Sequence, residues 1–184
     1  METLIDALLQ GILMGLLFAL VALGLNVIFG VMDIVNFAHG EFLMLGMYTA
    51  FFTSLLMGVD PLFALPASAL MGVLLGLASY YWFIKYLLRG PAIAQLFGTF
   101  GLMLFLRYLA QFLFGIDYRI LQKGILIGKS FSVGPFIFDA TKIAAGALSL
   151  VAFAAVYSFL NKTKTGKALQ ATALNKEAAS YMGI

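Results

Sequence analysis

Five continuous apolar runs restrict the folds open to this chain more than any other feature of its sequence. Each run is close to the roughly 20 residues that an α-helix needs to cross a bilayer. A membrane β-barrel would alternate apolar and polar residues along every strand, and these runs do not alternate. In lipid, backbone polar groups must be bonded within the protein, so such runs predict helices. The predicted fold class is all-α, a polytopic membrane helix bundle with about five transmembrane helices.

The composition supports a membrane protein. Hydrophobic residues make up 63% of the 184 residues and charged residues only 10%, with a mean hydropathy of +1.04. A soluble domain carries about 25% charged residues because water must wet its surface. Lipid is therefore the main solvent of this chain, and no large soluble domain fits. The absence of cysteine excludes disulfides, a thiolate metal site and a cysteine nucleophile.

Turn residues separate the predicted spans, as at Gly58-Val-Asp60-Pro61 and Gly90-Pro91. The predicted spans are about residues 7–29, 38–57, 62–88, 92–114 and 143–160. A transmembrane region over residues 1–160 is thus predicted, with an outer loop at 115–142. Within that loop, residues 125–138 are typical of a small hairpin or a surface cap.

The placement of basic residues predicts the orientation. The net charge is 11 − 8 = +3. One basic cluster ends the third span and another follows the fifth: Lys85, Arg89, Lys162, Lys164, Lys167 and Lys176. Cytoplasmic loops are enriched in Lys and Arg, so we expect both clusters, and residue 184, in the cytoplasm and the acidic N-terminus outside. The outer loop also holds basic residues, but it is long enough to weaken the bias. The N-terminus lacks the basic region of a secretory signal, so its apolar run is expected to remain as a helix.

Small residues and one arginine carry further predictions about the spans. Small residues four apart predict faces where helix backbones approach closely: Gly11, Gly15 and Ala19 in the first span, and Ser68, Gly72 and Gly76 in the third. Arg107 lies about 10 Å from the end of the fourth span at 1.5 Å per residue. Its long side chain is expected to reach the interface by snorkelling, and Gln111 could share its polar environment.

From Leu8 to Met57 the chain is almost wholly apolar except for a polar segment, residues 33–41, which we call the polar break. It contains Asn36, Glu41 and the only histidine of the chain, His39. Ionisable groups at membrane depth are functional candidates by default. A proton relay would need His39 and Glu41 inside the bilayer and facing a cavity. A metal site has too few ligands, with one imidazole and two carboxylates.

A structural break is the third interpretation of this segment, and the charge pattern favours it. Asn36 would cap the following helix, Gly40 would allow a close approach, and the polar groups would lie near the inner interface. Asn26 of the first span could either line a translocation path with Gln10 or bond neighbouring helices. These alternatives stay open at the level of residues alone.

Two stretches resemble a known family. Residues 24–48, GLNVIFGVMDIVNFAHGEFLMLGMY, are similar to the signature of branched-chain amino-acid ABC transporter permeases of the LivH type. Residues 165–184, TGKALQATALNKEAASYMGI, resemble the cytoplasmic coupling loop of such permeases, with its Glu-Ala-Ala…Gly pattern. Residues 130–134 fit more weakly, so the resemblance extends along the whole chain.

The resemblance implies a membrane permease subunit of an ABC importer in the bacterial inner membrane. Its implied substrate is leucine, isoleucine or valine, with urea, short amides or other amino acids as alternatives within the group. The implied partners are two ABC ATPase subunits, a second homologous permease subunit, a periplasmic substrate-binding protein and the lipid membrane, with no nucleic acid. The chain itself would be no enzyme and would hold no catalytic residue, cofactor or metal, because ATP hydrolysis belongs to the partners.

The resemblance also assigns residues 161–184 as a cytoplasmic coupling loop. The residues implied to contact the ATPase are Leu169, Leu174, Glu177, Ala178, Ala179 and Gly183. From Gly166 onward the chain has good helix formers, with Leu169, Ala173 and Tyr181 spaced near one face. This spacing predicts a short amphipathic helix that docks in a partner's groove. The alternative is a basic helix lying on anionic lipid.

Family members continue beyond this loop with further spans, so the chain is expected to be an incomplete permease domain that cannot form a whole translocation path alone. Two hypotheses of other classes remain. A proton-coupled carrier or channel would use His39 and Glu41, and its transport activity would persist after loss of the ATPase. A non-transporting assembly subunit would need neither an ATPase nor a binding protein.

Overall fold

The computed structural model describes residues 2–122, 124–133 and 136–183. Its elements in chain order are α1 Glu2–Met32, α2 His39–Met57, α3 Leu65–Ser79, a π-helical turn Tyr80–Ile84, α4 Lys85–Leu87, α5 Ala92–Phe114, β1 Ser130–Val133, β2 Phe136–Asp139, α6 Ala140–Lys162, α7 Lys164–Leu174 and α8 Lys176–Tyr181.

Within the described ranges, five helical stretches are long and apolar enough to cross a membrane: Leu4–Met32, His39–Met57, Leu65–Leu87, Ala92–Phe114 and Ala140–Lys162. Each end of these stretches lies within three residues of the corresponding end predicted from the sequence. The predicted fold class, an all-α polytopic membrane bundle, is confirmed. The third stretch stays helical through the π-turn, so α3, this turn and α4 form one span.

Turn residues end the helices where the sequence predicts it. Gly58 follows α2 with φ 65° and Gly115 follows α5 with φ 83°, a backbone region that L side chains rarely adopt. Beyond α5, β1 and β2 form an antiparallel pair in which Ser130 is opposite Asp139. The small hairpin predicted in the outer loop is therefore present.

The chain divides into two compact units. The first unit contains the residues up to Asp33 and those from Leu126 onward, so α1 packs with α6. Lys142 Nζ donates to Gln10 Oε1 at 3.0 Å. Four residues further along α6, a Cβ added at Gly146 would lie 3.1 Å from the Leu13 side chain. From the first contact to the second, the residue numbers rise along both α1 and α6, so these helices point in the same direction.

The second unit runs from Ile34 to Ile125 and packs α2 against both α3 and α5.

The small-residue faces predicted in the first and third spans are not used for the helix contacts within either unit. A Cβ added at Gly11, Gly15, Gly72 or Gly76 would meet no heavy atom of the described chain within 4 Å. These faces are thus unpacked within the described residues, and the close approach in α6 falls at Gly146 instead.

Candidate functional site: the polar break and the tail

The polar break begins where α1 ends. Asp33 has a φ of 61°, which is tolerated by Asp better than by most residues, and the chain is not helical again until His39. The Asn36 side chain accepts a hydrogen bond from the Ala38 N–H at 3.0 Å. Ala38, and not Asn36, is the N-cap residue of α2, and it makes no side-chain cap bond. Asn36 therefore orders the turn that leads into α2, two residues before the N-cap position.

Within the second unit, the non-helical segment after Asp33 lies along α5. Thr99, whose exposed fraction is 1%, donates from Oγ1 to the Val35 carbonyl oxygen at 3.0 Å. The Phe37 ring meets the Phe100 ring edge-on, with centroids 6.2 Å apart. Because a carbonyl outside a helix must find a partner in a lipid-facing protein, the Thr99 hydroxyl satisfies a group that the break exposes.

Glu41, in the first turn of α2, forms an ion pair with Arg107 of α5. Arg107 Nε and Nη2 both donate to Glu41 Oε1, at 3.0 Å and 2.5 Å. The Glu41 side chain is 7% exposed and the Arg107 side chain 48%. Farther along, the Tyr48 ring stacks on Phe114 with centroids 4.6 Å apart. These contacts advance in the same order along both helices, so α2 and α5 point in the same direction.

The polar break lies beside the middle of α5. At 1.5 Å per residue, Thr99 is about 10 Å and Arg107 about 22 Å from the Ala92 end of α5. The whole helix is about 35 Å long on the same scale, close to the roughly 30 Å hydrocarbon core of a bilayer. The segment from Val35 to Glu41 therefore lies beside the central part of α5. The predicted position near the inner interface concerns depth in the membrane and stays a prediction.

The Arg107 guanidinium bonds Glu41 across 66 residues of sequence, a contact that was not predicted. The snorkelling of this half-exposed side chain stays a prediction. A signal for this pair was present in the sequence. Among Asp, Glu, Lys and Arg, the second predicted span carries one residue, Glu41, and the fourth carries one, Arg107, and groups of opposite charge usually pair inside membrane bundles. Periodicity alone could not reveal the register that makes them meet.

The remaining predicted residues of the break have separate placements. His39 begins α2 and is half-buried. Gly40 is exposed, and a Cβ added there meets no heavy atom of the described residues within 4 Å, so the predicted close approach is not made within this part of the chain. Asn26 lies on an exposed position of α1 in the first unit. Among the described residues, no group of three or more His, Cys, Asp or Glu could hold a metal ion.

Residues 163–183, which we call the tail, form two short helices and not the single predicted amphipathic helix. Thr163 caps α7 by accepting from the Gly166 N–H at 2.9 Å. The chain then leaves the helical region at Asn175, with φ −159° and ψ 107°. Asn175 caps α8 by accepting from the Ala178 N–H at 3.0 Å. Asn and Thr favour such positions because their side chains replace missing backbone partners.

The tail packs against the C-terminal end of α1 within the first unit. Lys176 Nζ donates to the Met32 carbonyl oxygen at 3.1 Å, where a cation meets the negative end of the helix dipole. A Cβ added at Gly30 would contact the Ala173 Cβ at 3.9 Å. The tail is therefore held to α1 just before the polar break begins.

The predicted coupling residues divide by exposure. Leu174, Glu177, Ala178 and Gly183 are exposed, Leu169 is half-buried, and Ala179 is buried at 5%. Three large apolar side chains of the tail project outward, each more than 80% exposed: Leu174, Tyr181 and Met182. The outward side of the tail is therefore partly apolar.

The sequence of the chain is similar to those of known proteins. The family profile described as branched-chain amino acid transport system / permease component matches residues 7–184. The chain belongs to this permease family. The match covers the first span from residue 7 onward, the other four spans, the polar break and the tail.

Individual members of the family are similar over nearly the whole chain. The high-affinity branched-chain amino acid transport system permease protein LivH of Salmonella typhimurium is 27% identical over 95% of the chain. BraD of Pseudomonas aeruginosa is 24% identical over 98%, and the probable LivH of Methanocaldococcus jannaschii is 28% identical over 91%. The chain spans 60%, 62% and 54% of the lengths of these three relatives. No solved structure matches the chain significantly.

Proposed function

We propose that this chain is the membrane permease subunit of an ABC importer that carries branched-chain amino acids across the bacterial inner membrane. The observation that carries the proposal is the family match over residues 7–184. Relatives named as high-affinity branched-chain amino acid transport permeases support the substrate class. The chain would perform no covalent chemistry, and partner ATPases would supply the energy.

The proposed assembly contains two ABC ATPase subunits on the cytoplasmic side, a second homologous permease subunit and a periplasmic substrate-binding protein. The tail would meet the ATPase through its exposed residues, among them Leu174, Glu177 and Gly183. Residues 161–184 would then form the coupling loop, with the N-terminus outside. The unpacked faces at Gly11 and Gly72 are suited to helices of the rest of the assembly, since small residues allow backbones to approach closely.

Transport of labelled L-leucine tests the proposal. The chain is reconstituted in proteoliposomes with the second permease subunit, the ATPases and the binding protein from its own genome. Uptake is expected to require ATP hydrolysis and to persist when a protonophore collapses the proton gradient. A catalytically inactive ATPase variant is the control.

The opposite pattern would favour a carrier that uses His39 and Glu41: uptake that survives the inactive ATPase and collapses with the proton gradient. The pairing of Glu41 with Arg107 opposes that alternative, because a relay carboxylate needs access to the proton path. Assembly without any uptake would favour a non-transporting subunit.

Substitution of Glu177 tests the coupling role of the tail separately. We expect Glu177→Ala to weaken ATPase retention on an affinity column about tenfold or more, as is usual for a residue central to an interface. Asp139→Ala is the matched control, because it removes an exposed carboxylate at the opposite end of α6. Equal retention of the ATPase by both variants would contradict the proposed coupling surface.

A further inference from the structure

A groove in the second unit runs beside the Glu41–Arg107 pair toward the C-terminal end of α5. Its volume is about 420 Å³, within the range of small-molecule sites. Met44, Met47, Tyr48 and Phe51 of α2 line one wall. Their spacing of three and four residues places them on one face of α2. Arg107 lines the opposite wall from α5.

Arg107 has donors to spare in this groove. Its Nε and Nη2 bond Glu41, and a guanidinium carries more N–H donors than these two bonds use. Nearly half of its side chain is exposed, whereas Glu41 is covered. Arg107 therefore presents a positioned cation to the groove while the carboxylate behind it fixes its orientation.

The second arginine at the groove is already engaged. Arg119 Nη2 donates to the Phe114 carbonyl oxygen at 2.5 Å, and its guanidinium lies 5.4 Å from the Phe52 ring centroid. It thus binds a carbonyl group at the C-terminal end of α5 and packs on the face of an aromatic ring. Asp117, from the same loop, also lines the groove. The groove therefore offers a cation, a carboxylate and an apolar wall within one small volume.

We propose that this groove is a substrate contact site in which Arg107 binds the carboxylate of a small apolar amino acid. Met44 and Met47 receive the aliphatic side chain, since thioethers adapt to irregular apolar shapes, and Asp117 faces the ammonium group. Guanidinium and carboxylate form charge-assisted, often bidentate hydrogen bonds. The inference rests on the proposed function for its choice of an amino acid, and on the predicted orientation for an opening toward the outside.

Cysteine protection tests the site directly, because the chain has no cysteine of its own. Ile116→Cys is introduced at an exposed position that lines the groove and holds no part of the amino acid in the proposal, and the full transporter is reconstituted in nanodiscs. A membrane-impermeant maleimide then labels the thiol, and the labelled chain is identified by mass. Leu62→Cys, in the loop between α2 and α3 and outside the groove, is the matched control.

L-leucine is expected to slow labelling of Ile116→Cys and to leave labelling of Leu62→Cys unchanged. Leucinamide, which lacks the carboxylate, should need a concentration about ten- to a hundredfold higher for the same protection, as for the loss of a hydrogen bond to a charged group. Protection by leucine should weaken similarly when Arg107→Lys is added, because Lys keeps the positive charge but cannot form the bidentate hydrogen bonds of a guanidinium.

Several results would overturn the site: no labelling of Ile116→Cys, equal protection by leucine and leucinamide, or equal slowing at Leu62→Cys. The leucinamide comparison needs no change at Arg107, so it holds even if that variant fails to fold. ATP-driven leucine uptake by the transporter without either cysteine substitution distinguishes failure of the groove site from failure of the proposed function. If uptake is present without protection, only the groove site fails; if uptake is absent, the proposed function fails.

Discussion

Glu41 and Arg107 differ in how far the surrounding chain covers each side chain, and the difference decides what each substitution costs. The carboxylate is covered and depends on its partner, whereas the guanidinium reaches the groove. Removing one member of a buried ion pair leaves the other charge uncompensated. A long, partly exposed cation can instead turn toward water or head groups. The two single substitutions are therefore not equivalent.

We predict that Arg107→Leu destabilises the chain by about 3–5 kcal/mol, the usual cost of a stranded buried charge. Glu41→Leu should cost only about 1 kcal/mol, as for a partly exposed pair. The double variant should recover most of the loss of Arg107→Leu. Thermal unfolding of the detergent-solubilised chain measures all three.

Arg89→Leu is the control for the loss of one arginine, because Arg89 is exposed just after α4. Equal midpoints for the two single variants, or a double variant as unstable as Arg107→Leu, would show that the pair does not stabilise the fold in this way.

At the scale of elements, the sequence predicts the long helices well and their contacts poorly. Length and apolarity alone place the ends of the span Ala92–Phe114, because the bilayer fixes how many apolar residues a span needs. The tail is harder, since the break at Asn175 depends on one side-chain cap inside a run of helix formers. The stagger of α2 along α5 depends on Thr99 and Arg107 finding partners far away in sequence, which no local pattern encodes.

The corner between α6 and α7 has room only for glycine. A Cβ at Gly166 would overlap the Phe159 carbonyl oxygen and lie 2.6 Å from the Leu160 Cα, both backbone atoms of α6. We predict that Gly166→Ala opens this corner, costs about 1–3 kcal/mol as overpacking does, and speeds tryptic cleavage at Lys167 and Lys176.

Gly15→Ala is the matched control for this substitution, because a Cβ there meets no described atom within 4 Å. Rates of tail cleavage are compared on the purified chain by mass spectrometry. If both variants are cleaved at the same rate, the corner is not closed by Gly166.

At the scale of the whole molecule, two pairs of helices agree with the predicted alternation of crossings. The first and fifth spans point the same way within one unit, and so do the second and fourth within the other. Spans an even number of crossings apart must point the same way in any such chain. The relative directions are therefore consistent with five crossings, and the basic clusters then predict the absolute orientation.

Labelling from one side of the membrane measures that orientation. We expect Tyr118→Cys, at a 99% exposed position after α5, to react with an impermeant maleimide in intact spheroplasts. Leu174→Cys, at an 88% exposed position of the tail, should react only after permeabilisation. The reverse pattern would invert the topology and place the tail outside. The absence of native cysteine keeps the background of the chain at zero.

The pairing of α2 with α5 also dictates an order of events during biogenesis. Glu41 is synthesised 66 residues before Arg107. At about 5–20 residues per second, its carboxylate therefore waits about 3–13 s for its partner. Until α5 emerges, the start of α2 has neither Arg107 for its charge nor Thr99 for the Val35 carbonyl. The second span thus enters the bilayer without these two partners, and its final position along the membrane normal is fixed only when the fourth span packs beside it.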